Sequence, residues 1–299
     1  MNKTALIIVD VQNDFLPPNG SLAVSDGQAV LPVINKLLDP FWDWTVVVAS
    51  QDYHPRGHIS FASTHPPHSP FSQLPLVNAY GESYIQTLWP DHCIQGESGS
   101  EIEAGLAEAL TRHGNGVHHQ LEAYSAFQGI MLAAPFPPIE PSVNQKEPEI
   151  VPPKSSELAE YLTQKGIEKV VIVGLATDFW QVHVLQTALS SLSCSFSTLL
   201  LAPGMRAISS KDERKAFDTV EKLGGVVLGR DGKEWEQDLF EWTHNVTFLK
   251  RQTKQAVLVL ILSISACTRY KEPEEDRDNV DEGQMKRKPK TKASVLKTL

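Results

Sequence analysis

The residue types most able to do chemistry lie close together in Gln51-Asp52-Tyr53-His54-Pro55-Arg56-Gly57-His58, directly after the apolar run Thr45 to Ala49. A strand that ends in one carboxylate and two imidazoles offers hard and borderline ligands together, the set that a divalent zinc, iron or manganese ion takes. A polar loop with incidental histidines is the competing reading, because Asp-x-His is a common accident. A second segment, Trp89-Pro90-Asp91-His92-Cys93, brings a further imidazole and favours the metal. Asp52, His54 and His92 are the candidate ligands, with His58 as a fourth.

These residues have to be positioned by elements. Ala5 to Val9 is a continuous apolar, β-branched-rich run that ends at Asp10 and reads as a buried strand. Asp26 precedes Val30, Ile34, Leu37 and Leu38 at helical spacing, with Pro32 in the first turn where its missing N–H is tolerated. Thr45 to Ala49 is the second strand, and a Pro-, His- and Ser-rich stretch from Gln51 to about Gly99 reads as one long loop of the functional kind. Glu101 to Arg112 reads as a helix stopped by Gly114, followed by a short strand at Gly116 to His119, and Ala133 to Pro153 as a proline-rich excursion. Then come a helix opened by Ser156, the strand Lys169 to Leu175, a helix at Val182 to Leu192, a strand at Phe196 to Ala202, a helix at Lys211 to Leu223 and a strand at Val226 to Gly229.

This alternation predicts an α/β fold: a doubly wound, six-stranded, mostly parallel sheet with helices on both faces, plus a C-terminal extension. Asp10, Asp52 with His54, and Thr177-Asp178 all fall just past the C-terminal ends of predicted strands, where open α/β sheets bind ligands. The expected organisation is a domain over 1–229, an extension over 230–270 and a charged, disordered tail over 271–299. The apolar run Ala256 to Cys267 offers 12 residues where a membrane span needs about 20, so it reads as a docking segment and no membrane span is expected.

Composition narrows the partner. Of 299 residues, 41% are hydrophobic and 21% charged, ordinary for a globular chain with a sizeable core. A net charge of −9 argues against a nucleic-acid backbone and for a small-molecule substrate. Three cysteines, Cys93, Cys194 and Cys267, cannot form a fully paired framework, and no signal-peptide pattern leads into the first strand. A cytoplasmic setting is expected, with the nucleus also open, and a homo-oligomer is compatible with all of this.

Five segments, in order, carry a family resemblance. They are Ala5-Leu6-Ile7-Ile8-Val9-Asp10-Val11-Gln12-Asn13-Asp14-Phe15, Asp52-Tyr53-His54-Pro55, Trp89-Pro90-Asp91-His92-Cys93, Ala123-Tyr124-Ser125-Ala126-Phe127 and Gly174-Leu175-Ala176-Thr177-Asp178-Phe179. Together they resemble the nicotinamidases (pyrazinamidase-type) of the isochorismatase-like hydrolases, over about residues 3 to 229. The resemblance implies a metal-containing amidase that converts nicotinamide to nicotinate and ammonia. It implies a metal, zinc first with iron or manganese open, held by the positions of Asp52, His54 and His92, with His58 matching a ligand of some members. It further implies Asp10 as general base, the backbone at Ala176 as oxyanion donor, and Phe15, Trp89 and Tyr124 around the substrate ring.

Two positions depart from the pattern. The family's nucleophilic cysteine aligns with Trp180, or with His183 when counted back from Gln186-Thr187-Ala188, and neither carries a thiol. The family's lysine has no counterpart, since no lysine occurs between Lys36 and Lys146; His118 and His119 occupy that neighbourhood. Of the implied triad only Asp10 remains. The alternative to an amidase is therefore a catalytically inactive relative that still binds nicotinamide or metal.

Overall fold

The computed structural model describes residues 3–77, 83–113, 116–121, 125–128, 130–133, 156–175, 183–207, 210–230, 232 and 234–244. Its strands are β1 (Thr4–Val9), β2 (Val46–Asp52), β3 (Gln73–Val77), β4 (Ser83–Thr87), β5 (Gly116–Leu121), β6 (Ile130–Ala133), β7 (Lys169–Leu175), β8 (Ser197–Arg206) and β9 (Val226–Leu228). Its α-helices are α1 (Val30–Leu37), α2 (Ala104–His113), α3 (Glu157–Gln164), α4 (His183–Ser193), α5 (Ser210–Lys222) and α6 (Glu236–His244).

Seven strands form one sheet in the order β6-β5-β2-β1-β7-β8-β9. The six strands expected from the sequence are all there and run parallel to their neighbours. A seventh, β6, adds an antiparallel edge against β5. β1 and β2 are buried along their whole length, and β7 at every position but its first. A strand covered on both faces has no polar side to alternate with, which is why these runs are apolar throughout.

The period of two then sorts their side chains between two cores. Leu6, Ile8, Val47, Ala49, Val171, Val173, Leu199 and Leu201 point to one face and meet Ile34 and Leu37 of α1, Leu106 and Leu110 of α2, and Leu239 and Trp242 of α6. Ala5, Ile7, Val9, Val46, Val48, Val170, Ile172 and Leu200 point to the other face. There they meet Leu158 and Leu162 of α3, Val184 and Ala188 of α4, and Phe217 and Val220 of α5. Helices on both faces make the sheet doubly wound, as expected.

Three features of the expected layout change in detail. The stretch read as one loop from Gln51 to Gly99 contains the antiparallel hairpin β3–β4, with Pro75 opposite Ile85. The second helix begins at Ala104, because Glu101 and Glu103 are still engaged with Asn13 and Val11 of the chain leaving β1. Beyond residue 230 lies α6, tied to β7 by Lys169, whose Nζ donates to the Trp242 carbonyl and sits 5.0 Å from the centre of the Trp242 ring. The segment Ala256 to Cys267, the tail and the excursion after Ala133 lie outside the described residues. Among the described residues no helix is long and apolar enough to cross a membrane.

The order of connections places the binding crevice. From β1 the chain moves outward through β2 and β5, then returns to the other side of β1 with β7, so the direction of winding reverses between β1 and β7. The two strands are pressed together there. Gly174 has φ +136°, and a Cβ on it would lie 2.1 Å from the Val9 carbonyl oxygen, so only glycine lets β7 run beside the end of β1.

Leu239 is fully buried against the sheet, and Leu239→Ala is expected to cost about 2–5 kcal/mol of unfolding free energy. Urea denaturation checks this; an unchanged midpoint would show that α6 is not part of the core.

Candidate active site

The C-terminal edge of the sheet gathers carboxylates. β2 ends on Asp52, and β1 hands over to Asp10, which is fully buried and leaves the sheet in the left-handed region with φ +53°. That conformation costs a non-glycine residue on the order of 1 kcal/mol and is concentrated at functional sites. Ser50, two residues before the end of β2, holds it from both ends: its hydroxyl donates to Asp10 Oδ1 at 2.6 Å and accepts from the Asp10 N–H at 3.2 Å.

Beside Asp10, Asp52 meets two imidazoles. Its Oδ2 lies 3.0 Å from His54 Nε2 and 3.3 Å from His92 Nε2, and all three side chains are buried. Their ligand atoms lie within 4.8 Å of one another. His92 Nδ1 is 2.7 Å from the Pro90 carbonyl, which can only accept, so this nitrogen carries the proton. In the neutral ring Nε2 then points a lone pair at the Asp52 carboxylate. Lone pair against carboxylate is repulsive in a site closed to water, and a bound cation between them turns it into coordination. His54 adds a second sign, since its Nδ1 is buried with no hydrogen-bond partner while Nε2 faces the same oxygen. One carboxylate oxygen and two imidazole nitrogens fit zinc and also suit iron or manganese.

His58 is placed differently. Its ring stacks on His54 with centroids 4.2 Å apart, its Nδ1 is 2.8 Å from Ser60 Oγ, and it stands outside the three-residue cluster. Burial first, and then the neighbouring His54, push its pKa down to about 3, which keeps the ring neutral. Phe61, fully buried, packs against all three imidazoles, with centroids 5.5 Å from His54, 5.4 Å from His92 and 5.7 Å from His58. It gives the ligands a rigid apolar wall.

The chain leaving β1 holds the second ligand segment in place. Asp14 Oδ2 accepts from the Cys93 N–H at 2.7 Å, and the Cys93 carbonyl accepts from the His54 N–H at 2.9 Å, so His92 and His54 are locked to one frame. A Cβ on Gly99 would lie 2.1 Å from Asp14 Oδ2, so glycine here lets the Asp14 carboxylate stay where it accepts from the Cys93 N–H. Gln12 hydrogen-bonds the backbone of Asp52 on both its N–H and carbonyl sides. In the sequence, Gln12 and Asp14 stand inside the first motif with no task of their own. The available signal was the spacing Asp10, Gln12, Asp14, polar residues at every second position directly after an apolar strand.

The remaining candidates divide into those the structure describes and those it does not. Phe15 is buried with its ring 5.7 Å from His92, and Trp89 is half-buried with its N–H and carbonyl paired to Ser60 and Ala62 at 2.8 Å each. His183 is the first residue of α4. Tyr124, Ala176 and Trp180 lie outside the described residues, as does Thr177-Asp178. Cys93 is fully buried, and burial, then the fields of Asp52, Asp14 and Asp10, push its thiol pKa well up, so it stays protonated and unreactive. Cys194 packs at the margin of the second core.

The chain is similar in sequence and fold to known proteins. The family model for the isochorismatase domain matches residues 4–231. A nicotinamidase of Acinetobacter baylyi is 36% identical over 211 residues, which cover 69% of this chain and 83% of that protein. A crystal structure of the yeast nicotinamidase bound to the inhibitor nicotinaldehyde superposes with a TM-score of 0.61 at 28% identity, over 75% of this chain and 98% of that one. A pyrazinamidase of Pyrococcus horikoshii in complex with zinc superposes with a TM-score of 0.51 at 26% identity, over 76% of this chain and 98% of that one. The matched span takes in the whole sheet and every described residue of the site, and on that ground the chain belongs to the isochorismatase domain family, within which it is similar to the nicotinamidases.

Proposed function

We propose that this chain is a metal-containing amidase that hydrolyses nicotinamide to nicotinate and ammonia, with the metal held by Asp52, His54 and His92. The observation that carries this is the buried carboxylate facing two imidazole nitrogens, one of them fixed by the Pro90 carbonyl as a lone-pair donor. The zinc in the similar pyrazinamidase and the nicotinaldehyde in the similar nicotinamidase support the choice of metal and of substrate class. When bound, the metal supplies a Lewis-acid anchor for the pyridine nitrogen of the substrate.

The chain's own residues then take these roles. Phe15 and Trp89, with Tyr124, flank the ring; the backbone at Ala176 donates to the amide oxygen as negative charge develops on it. Asp10, on the neighbouring strand end, is the general base. Trp180 and His183 carry no thiol, Cys93 is buried and protonated, and Cys194 packs at the margin of the second core, so the attack is assigned to water. Asp10 takes the water's proton as oxygen adds to the amide carbon, and returns it to the nitrogen as the C–N bond breaks and ammonia leaves. His58 stands beside the site as a neutral ring that closes its outer side. The partner is a small molecule, and the reading puts the chain in the cytoplasm, where its three cysteines stay reduced.

Ammonia release from nicotinamide by the purified, zinc-loaded chain checks the reaction. Release is expected, with loss of at least about 100-fold on Asp10→Ala, the scale of a missing general base, and no loss on alkylating the accessible thiols. Metal-dependent binding of nicotinamide without release would make the chain a binding relative. Loss on alkylation would return the nucleophile's role to a cysteine.

For the metal, His92→Ala is expected to weaken zinc binding by more than the 10–100-fold that outer partners typically contribute, and His58→Ala by less than His92→Ala. Chelator competition measures both; equal effects would make His58 a ligand of the same rank.

A further inference from the structure

Asp52 has an exposed structural problem that the sheet itself does not solve. β1 and β2 pair in register from Ala5 with Val46 to Ile8 with Ala49. β1 then stops at Val9 and Asp10 turns the chain away, while β2 runs on to Asp52 with only β5 beside it, Asp52 standing opposite Leu121. The side of Asp52 that faced β1 has lost its strand, at the residue whose carboxylate has to be aimed most accurately.

Gln12 fills that place with a side chain. Its Oε1 accepts from the Asp52 N–H at 2.8 Å, and its Nε2 donates to the Asp52 carbonyl at 2.8 Å. A carboxamide is a peptide group without the chain, so one acceptor and one donor set against the N–H and carbonyl of a single residue reproduce a strand partner. The second Nε2 hydrogen goes to the Ser100 carbonyl at 2.8 Å, in the turn that Asn13 also grips through Ser98 at 2.8 Å. Gln12 is fully buried, and both its donors and its acceptor are spent on this task. Glutamate cannot donate, and methionine has the shape without the bonds.

We propose that Gln12 is a positioning residue for the metal: its carboxamide stands in for the missing strand and sets the direction in which Asp52 presents its carboxylate to His54 and His92. The inference rests on the reading of Asp52, His54 and His92 as a metal site. Gln12 touches neither metal nor substrate, and it acts through the backbone of one ligand.

The test is metal affinity and ligand field in the full chain. Zinc binding is measured by competition with a chromogenic chelator, and cobalt is used for its visible absorption, for the unaltered chain, Gln12→Met and Asn13→Ala. Thermal midpoints of the metal-free proteins are recorded alongside. Gln12→Met is expected to weaken zinc binding about 10–100-fold, the range for outer partners of a ligand, and to shift the cobalt bands, whereas Asn13→Ala, which frees the neighbouring turn without touching Asp52, leaves both unchanged. Should Gln12→Met not fold, Gln12→Glu, which keeps the acceptor and loses both donations, gives the same readout with the same expected direction. A variant that is less stable yet binds zinc and cobalt as the unaltered chain does would make Gln12 merely structural and overturn the inference. Failure of the unaltered chain to bind zinc would overturn the metal reading beneath it.

Discussion

A buried carboxylate facing two imidazole nitrogens is the interaction on which the rest of this structure depends. Asp52 brings a negative charge to a place closed to water, and His92, with its proton committed to the Pro90 carbonyl, brings a lone pair. Burying such groups together costs several kcal/mol unless a positive charge lies among them. The surrounding structure is organised so that they cannot move apart. Phe61 fills the space behind the rings, Asp14 fixes the His92 segment through Cys93, and Gln12 fixes Asp52 itself.

The same requirement accounts for where strain is kept. Asp10 and Cys93 both hold left-handed backbone, with φ of +53° and +48°, at the two points where chain leaves regular structure beside the site. Relaxing either would swing the chain away from its partner: Ser50 for Asp10, Asp14 for Cys93. The sheet core supplies the stability against which these local costs are set, since its strands are buried on both faces.

Much of this was legible in the sequence because it is local. Parallel strands covered on both faces are unbroken apolar runs, so Ala5 to Val9 and Lys169 to Leu175 announced themselves, and with them the sheet edge where Asp10 and Asp52 fall. Elements held by distant partners were not legible. β6 is four residues whose only sheet partner among the described residues is β5, and the hairpin β3–β4 carries Pro75 and several exposed positions, so neither shows a clean period. α6 is mostly polar and is held by Leu239 and Trp242, too few to mark a helical face. Asp52 and His54 were visible as a pair, and His92 could be added only as a candidate, because the turn that brings it round depends on Asp14 and Gly99. Gln12 was invisible for a different reason: a glutamine's value lies in which two groups it bridges, and sequence shows neither.

The central claim is that one divalent metal sits between Asp52, His54 and His92. Anomalous diffraction at the zinc edge, from crystals of the full chain grown with zinc, tests it most directly. The account predicts one strong peak bonded to an Asp52 carboxylate oxygen and to one nitrogen of each histidine, at the roughly 2.0–2.2 Å of zinc–oxygen and zinc–nitrogen bonds. A zinc-free cluster in those crystals, or zinc bound only elsewhere on the chain, would contradict it.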